Sequence, residues 1–314
     1  MLPSQLSSGD VIADRRADYA KMLAESGEPA SAAELMEQAL ELVPSWAAGW
    51  FSLAAYREKA GDVPGAVAAL NEVLALDEGD VFGARLKLAV LGGAEMPDRP
   101  PSRYVERLFD DYAERFETSL VEKLGYSVPQ KLAVLIAQAA DIPTHFRLAV
   151  DLGCGTGLLG PEIRDRVDRL EGFDLSKGML AKAAEKGVYD HLGQADLSLA
   201  PPQSGIFEAG LAAGRADLIT AADVLMYLGD LDGVLTIVAA LAADGAVFAF
   251  SVEDAGDAEG YVLRESLRFA HSEAYVRAVL GAHGFTVRDL SRSIIRMDGG
   301  KPVHGILFVT RKSA

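Results

Sequence analysis

The stretch Ala149-Val150-Asp151-Leu152-Gly153-Cys154-Gly155-Thr156-Gly157-Leu158 decides how this chain is read. The apolar run Arg147–Leu152 reads as a buried strand. It carries an acid near its end and runs into three glycines at alternate positions, followed by apolar residues at helical spacing over Gly157–Val167. Glycines there remove Cβ atoms, so the backbone can turn sharply and lie close to a ligand. A helix starting at such a turn offers free N–H groups and a positive dipole end. The expectation is a turn that binds a nucleotide or nucleoside.

Outward from the turn, strand and helix patterns alternate. Strands are expected at Arg147–Leu152, Leu170–Asp174, His191–Ala195, Asp217–Ala222 and Ala246–Val252. Helices are expected at Lys177–Lys186, Leu231–Ala243 and Ser272–His283 besides the one after the turn. Alternation of this kind predicts a parallel sheet covered on both faces. Two last strands, Thr286–Ile295 and Val303–Thr310, flank Asp298-Gly299-Gly300, a hairpin signal, so the final strand is expected to run antiparallel.

The glycines alone leave two ligands open. Gly155, Gly157 and Gly160 spell the dinucleotide fingerprint, and Asp174 follows Gly155 by 19 residues, where such a fold places its ribose acid. Against that reading stand Asp151 ahead of the glycines, Asp196 closing the third strand, and the closing hairpin. Together these features resemble the class I S-adenosylmethionine-dependent methyltransferases, over about Leu108 to Lys312. The resemblance implies a Rossmann-like seven-stranded α/β sheet with an antiparallel last strand. It implies S-adenosyl-L-methionine as cofactor, with Asp151, Gly153, Cys154 and Gly155 against its methionine part. Asp174, followed by Leu175, takes the ribose hydroxyls, and Met179 lies beside the adenine. Asp196 and Leu197 read the adenine edge, and Ala222 closes the site from the fourth strand. Cys154 is not expected to act as a nucleophile, since no histidine is near it in sequence.

Ligands of open α/β sheets meet the carboxyl ends of strands, which makes Asp223 and Tyr227 pocket candidates. Ala222-Asp223-Val224 departs from the Asn/Asp-Pro-Pro-aromatic pattern of enzymes that methylate amines in nucleic acids. Between the fifth strand and the next helix stand Tyr261, Arg264, Arg268 and His271. Arg264 and Arg268 lie four apart, could share a helical face and bind a carboxylate or phosphate; the alternative pairs them with Glu265 and Asp257. His271 is the candidate general base, since its pKa suits proton removal near neutrality. Alternatively, it or Ser272 caps the helix that comes next. Tyr112, Tyr227 and His271 are expected near the acceptor.

The first ninety residues differ in character. Shifted by 34, the sequence overlays itself: Gly27 on Gly61, Ala32 on Ala66, Met36 on Leu70, Leu40 on Leu74. This period resembles the tetratricopeptide repeat, whose arrays bind peptides or subunits; an ordinary helical bundle is the other reading. The expected organisation is a helical domain at 1–92, a Gly/Pro-rich linker at 93–103 and the α/β domain at 104–314. The latter opens with a helical stretch, Tyr104–Ala140, carrying Phe109, Tyr112 and Phe116. The segments Leu108–Ala113, Tyr227–Leu231, Arg268–Ser272 and Val303–Gly305 resemble bacterial methyltransferases that carry such repeats.

Composition bounds the rest. The 314 residues carry a net charge of −16, against non-specific nucleic-acid binding. No apolar run has the roughly 18 to 20 residues of a membrane span, and the start lacks a signal-peptide pattern. One cysteine excludes a disulfide framework or a cysteine-rich metal site. The expectation is a cytoplasmic enzyme without metal that methylates a small molecule, with an oxygen acceptor favoured. The alternatives are a protein methyltransferase, or a scaffold that recruits a protein partner through its repeats.

Overall fold

The computed structural model describes residues 7–117, 125–208 and 210–313. The chain divides into two compact units, residues 1–107 and 108–314.

The first unit is helical: α1 Val11–Glu25, α2 Pro29–Leu40, α3 Ala47–Lys59, α4 Val63–Leu76 and α5 Ala84–Val90. Helix α6, Ser102–Tyr112, contains the division between the units. The Asp10 carboxylate caps α1 by accepting from the N–H groups of Ile12 and Ala13. Gly27 and Gly61, 34 apart, take left-handed φ of 85° and 84° in the short turns after α1 and α3. The same helix-turn-helix step thus recurs at the sequence period. Alanines fill the contact seams (Ala13, Ala20, Ala32, Ala39, Ala54, Ala69) around Met36, Leu53, Leu70 and Val73, letting helices approach closely.

The second unit is built on a nine-stranded sheet. Helix α7 (Val128–Gln138) precedes β1 (Phe146–Leu152). Next come α8 (Gly160–Ile163), β2 (Val167–Asp174), α9 (Lys177–Glu185), β3 (His191–Gln194) and β4 (Ala216–Ala221). After them come α10 (Asp232–Leu241), β5 (Ala242–Asp254), β6 (Tyr261–Leu263), β7 (Phe269–His271), α11 (Glu273–Ala282), β8 (Phe285–Asp298) and β9 (Lys301–Lys312). The order is β3-β2-β1-β4-β5, all parallel, with β9 antiparallel beside β5 and β8 antiparallel beside β9. The β6–β7 hairpin joins the sheet through β7, which pairs with Glu253 and Asp254 at the end of β5. Between β5 and β9 the core is aromatic: Phe248 stacks on Phe250 at 4.5 Å and Phe250 on Phe308 at 5.0 Å.

Two sequence expectations change. The helix after the glycines is one turn, Gly160–Ile163, because Gly157 is left-handed and Val167–Arg169 are drawn into β2 by pairing with β1. Seven strands become nine, since β6 and β7 carry no strand signal in the sequence. Part of the helical stretch expected over Tyr104–Ala140, residues 118–124, lies outside the described residues. Among those described, no helix is long and apolar enough to cross a membrane, and no cluster of His, Cys, Asp and Glu could hold a metal.

Candidate active site

The carboxyl ends of β1 to β4 carry Asp151, Asp174, Asp196 and Ala222 respectively or just after them. Asp151 is 1% exposed. Its Oδ2 accepts from the Tyr189 hydroxyl and its Oδ1 from the Thr220 hydroxyl, both at 2.8 Å. Burial raises its pKa to about 6, although both hydroxyls favour the carboxylate. Tyr189, with no counterpart among the sequence expectations, therefore orients the first acid.

The turn itself needs its glycines. Gly153, Gly155 and Gly157 have φ of 64°, 55° and 82°. A Cβ on Gly153 would lie 2.3 Å from Val224 Cγ2, so the segment after β4 packs directly on the turn. At Gly155 an added Cβ meets nothing within 4 Å, so there the backbone borders open space. Cys154 is buried and its thiol is pushed well up, by burial first and then by Asp174 and Asp151, which leaves it protonated and inert.

Asp174 fastens the turn from the next strand. Its Oδ2 accepts from Gly155 N–H and its Oδ1 from Ser176 N–H, each at 2.8 Å. Desolvation lifts this carboxyl to about 6 despite those bonds. Each oxygen still has lone-pair capacity, as a vicinal diol requires. Ser176 caps α9 by accepting from Met179 N–H. Asp110, on α6, accepts from both Ser176 Oγ and Gly178 N–H. Asp110 thereby ties the segment after residue 107 to the Asp174 turn, a role no sequence signal announced. Met179 is 1% exposed on α9, and the Leu175 carbonyl accepts from Gln194 Nε2 at 2.9 Å. Asp196 uses Oδ1 to accept from Ser198 N–H and Oγ, while Leu197 packs at the core edge.

Near the end of β4, Tyr227 meets Phe109 edge-on at 5.2 Å, and Tyr112 meets Phe116 likewise at 5.6 Å. Phe109 and Phe116 join the two pairs at 6.4 Å. Asp223 has a left-handed φ of 59° and is held by the Arg296 guanidinium at 2.6 and 2.8 Å. The buried Tyr126 hydroxyl has its pKa raised by burial and then by the negative charge of Asp223.

Two expectations for this region are corrected. His271 is fully buried, and its Nε2 lies 2.9 Å from the carbonyl oxygens of Leu228 and Gly229. Two carbonyl partners require Nε2 to carry the proton, while buried Nδ1 has no partner among the described residues. Burial lowers its pKa to about 4. It pins the backbone after Tyr227 and offers no base to solvent or substrate; Ser272 caps α11. Arg264 and Arg268 do not share a helical face, since they close the β6–β7 turn through Arg264 N–H to Arg268 carbonyl. Arg268 pairs with Asp298 at 3.0 Å, and Arg264 donates to the Asp254 carbonyl at 2.6 Å. Tyr261 sits among Phe269, His271 and Tyr275.

Comparison with known proteins bears on this geometry. Residues 150–248 match the protein-family profile described as a methyltransferase domain. Methyltransferase-like protein 27 of Homo sapiens is 35% identical over 109 residues, which is 34% of this chain and 44% of the relative, so less than half of that protein is matched. Two solved structures share the fold at 16% identity. One is from the complex of the Haloferax volcanii Trm112 methyltransferase activator with a methyltransferase, at a TM-score of 0.50, covering 66% of this chain and 98% of that one. The other is the 4+2 cyclase SpnF, at a TM-score of 0.53, covering 69% and 98%. The glycine turn and the acids at the ends of β1 and β2 and just after β3 lie inside the matched segment, and the closing β8–β9 hairpin lies beyond it: residues 150–248 are similar to a methyltransferase domain, on a fold shared with those structures.

Proposed function

We propose that this protein transfers a methyl group from S-adenosylmethionine to a small-molecule acceptor, with an oxygen as the favoured nucleophile. The open space beside Gly155, flanked by Asp151 and Asp174, carries this reading. Asp174 would hold the ribose through both oxygens, Asp196 the adenine amino group with Leu197 N–H beside it, and Asp151 the methionine side of the turn. Bound there, the donor supplies an electrophilic methyl group. The chain's own task is then to align the acceptor and exclude water. Phe109, Tyr112, Phe116 and Tyr227 would wall the acceptor, and their close ring packing favours a small molecule over a polymer. Tyr227 would meet its polar atoms, while Asp223, buried against Arg296, holds the loop that carries Tyr227. His271 fixes the Tyr227 loop instead of accepting a proton, so the acceptor either ionises in solvent without a protein base or gives its proton to another group.

The helical unit supports a second reading, in which it recruits a protein that is itself methylated. Helix α1 leaves Ile12, Tyr19 and Met22 exposed on one side of its surface. Calorimetric titration with S-adenosylmethionine tests the donor assignment; absence of binding at millimolar donor rejects it. Incubation of a metabolite extract with enzyme and donor, followed by mass spectrometry, then separates the two readings. A small species gaining the mass of a methyl in place of hydrogen supports the first, and label only on protein supports the second.

A further inference from the structure

We infer that Arg296 is a positioning residue of the methyl-transfer site, setting through Asp223 the loop that joins the donor turn to the acceptor wall; the inference rests on the methyltransferase reading. Strand β8 should alternate inward and outward side chains. Instead Ile295 and Arg296 are both buried in succession, and the β8–β9 register shifts between Ile294 and Arg296. A bulge of this kind re-aims a side chain. Here it turns a guanidinium, 4% exposed, into the carboxyl end of the sheet, where the ends of β4 and β5 supply two buried carboxylates.

One nitrogen, Nη1, spans both oxygens of Asp223, and the other, Nη2, bonds Glu253. Burial opposes the charge on Arg296, but the Asp223 and Glu253 carboxylates hold its pKa above the usual value. Arg268 and Arg264 stand further off, 3.8 and 3.9 Å from Glu253, so Glu253 has other cations near it and Asp223 has this one among the described residues.

Asp223 could not keep its place unaided. It is a non-glycine residue with φ of 59°, a conformation that costs about 1 kcal/mol or more and persists where its surroundings impose it. Its carboxylate side chain is 7% exposed. Arg296 holds the side chain, and Ser251 Oγ holds the backbone by accepting from Asp223 N–H at 2.8 Å. The residues just after Asp223 reach both halves of the site. Val224 lies on Gly153 of the donor turn, and Tyr227 lies on Phe109 of the aromatic wall. Both contacts depend on the backbone direction at Asp223, so Arg296 acts on the donor turn without touching it.

The test is titration of the full chain with S-adenosylhomocysteine, alongside thermal unfolding. Arg296→Met should weaken binding at least tenfold, and Arg296→Lys, which keeps the charge but cannot span both carboxylates, about threefold. The double change Arg296→Met with Asp223→Gly should return affinity to within threefold of wild type. Glycine adopts the left-handed backbone freely and removes the unpaired carboxylate. A purely structural Arg296 predicts no such recovery, only binding that tracks melting temperature. Unchanged affinity in Arg296→Met, or no recovery in the double variant, overturns the inference. If Arg296→Met does not fold, Arg296→Lys with and without Asp223→Gly gives the same comparison. Wild-type protein that binds no ligand overturns the methyltransferase reading and this inference together, whereas binding by wild type and every variant alike overturns the inference alone.

Discussion

Asp151 and Asp174 stand on adjacent strands, and burial raises both carboxyls from about 3.8 to about 6. Between those values the folded protein binds more protons than the unfolded chain, so these two groups favour folding more as pH falls through the window. Donor binding should respond in the opposite sense. A ribose diol and a sulfonium both prefer the ionised carboxylates, so affinity for S-adenosylmethionine should drop as pH is lowered from 7 to 5. Calorimetry across that range checks it, and a flat profile contradicts the placement of both acids beside the donor. His271 carries the reverse sign. Its pKa is lowered to about 4, so it releases protons on folding, and the stability it contributes is lost as pH falls from 6.5 toward 4. Replacing it with Gln should cost about 1–2 kcal/mol at pH 7.5, where two carbonyl contacts are lost. That penalty should shrink at pH 5, since holding the native imidazole neutral there costs about 2 kcal/mol. Urea unfolding at the two pH values measures it; a penalty that grows on acidification would mean His271 is charged in the fold. The sequence made His271 attractive as a base because it stands alone before a helix. Its burial and its two carbonyl partners, more than forty residues earlier in the chain, leave no local trace.

At the scale of elements, the glycine turn is the part most legible in the sequence. An apolar run ending in Asp and alternate glycines can satisfy few geometries, and β1, β2 and β4 appear within a residue or three of their expected limits. The closing hairpin was equally open, because Asp298-Gly299-Gly300 supplies left-handed glycines at its tip, with φ of 54° and 78°. The β6–β7 hairpin was hidden for the opposite reason. Its turn places Leu267 at φ of 61°, where sequence rules look for Gly or Asn, so Arg264 to Arg268 read as a helical pair. The site's side chains divide the same way. Acids at strand ends could be found from spacing, while Tyr189, Asp110 and Arg296 reach the site through contacts between distant segments. Gly153→Ala tests the turn as an element. The new Cβ meets Val224 at 2.3 Å on a left-handed backbone, so one of the two must move. Donor affinity should fall more than tenfold with the fold retained by circular dichroism, and full binding in that variant would contradict the packing of Val224 on the turn. Gly155→Ala, facing open space in the free protein, should fold as well as its left-handed φ allows and fail through obstruction of the donor.

At the scale of the molecule, each unit has a core drawn from its own residues: alanine-seamed helices in one, and two apolar layers around the sheet in the other. A fragment of residues 108–314 should therefore fold and bind the donor within a few-fold of the full chain. Cooperative melting together with calorimetry checks this; an unfolded fragment would mean the helical unit is needed for the second to form. The sheet also places the molecule's one thiol where it is most informative. Cys154 is the single cysteine of 314 residues, shut inside the glycine turn in its unreactive protonated form. Any modification by a thiol reagent must wait for that turn to open, so the labelling rate is a clock for its opening. The clock should slow in step with donor occupancy, and it would do so without the acceptor's identity ever being known.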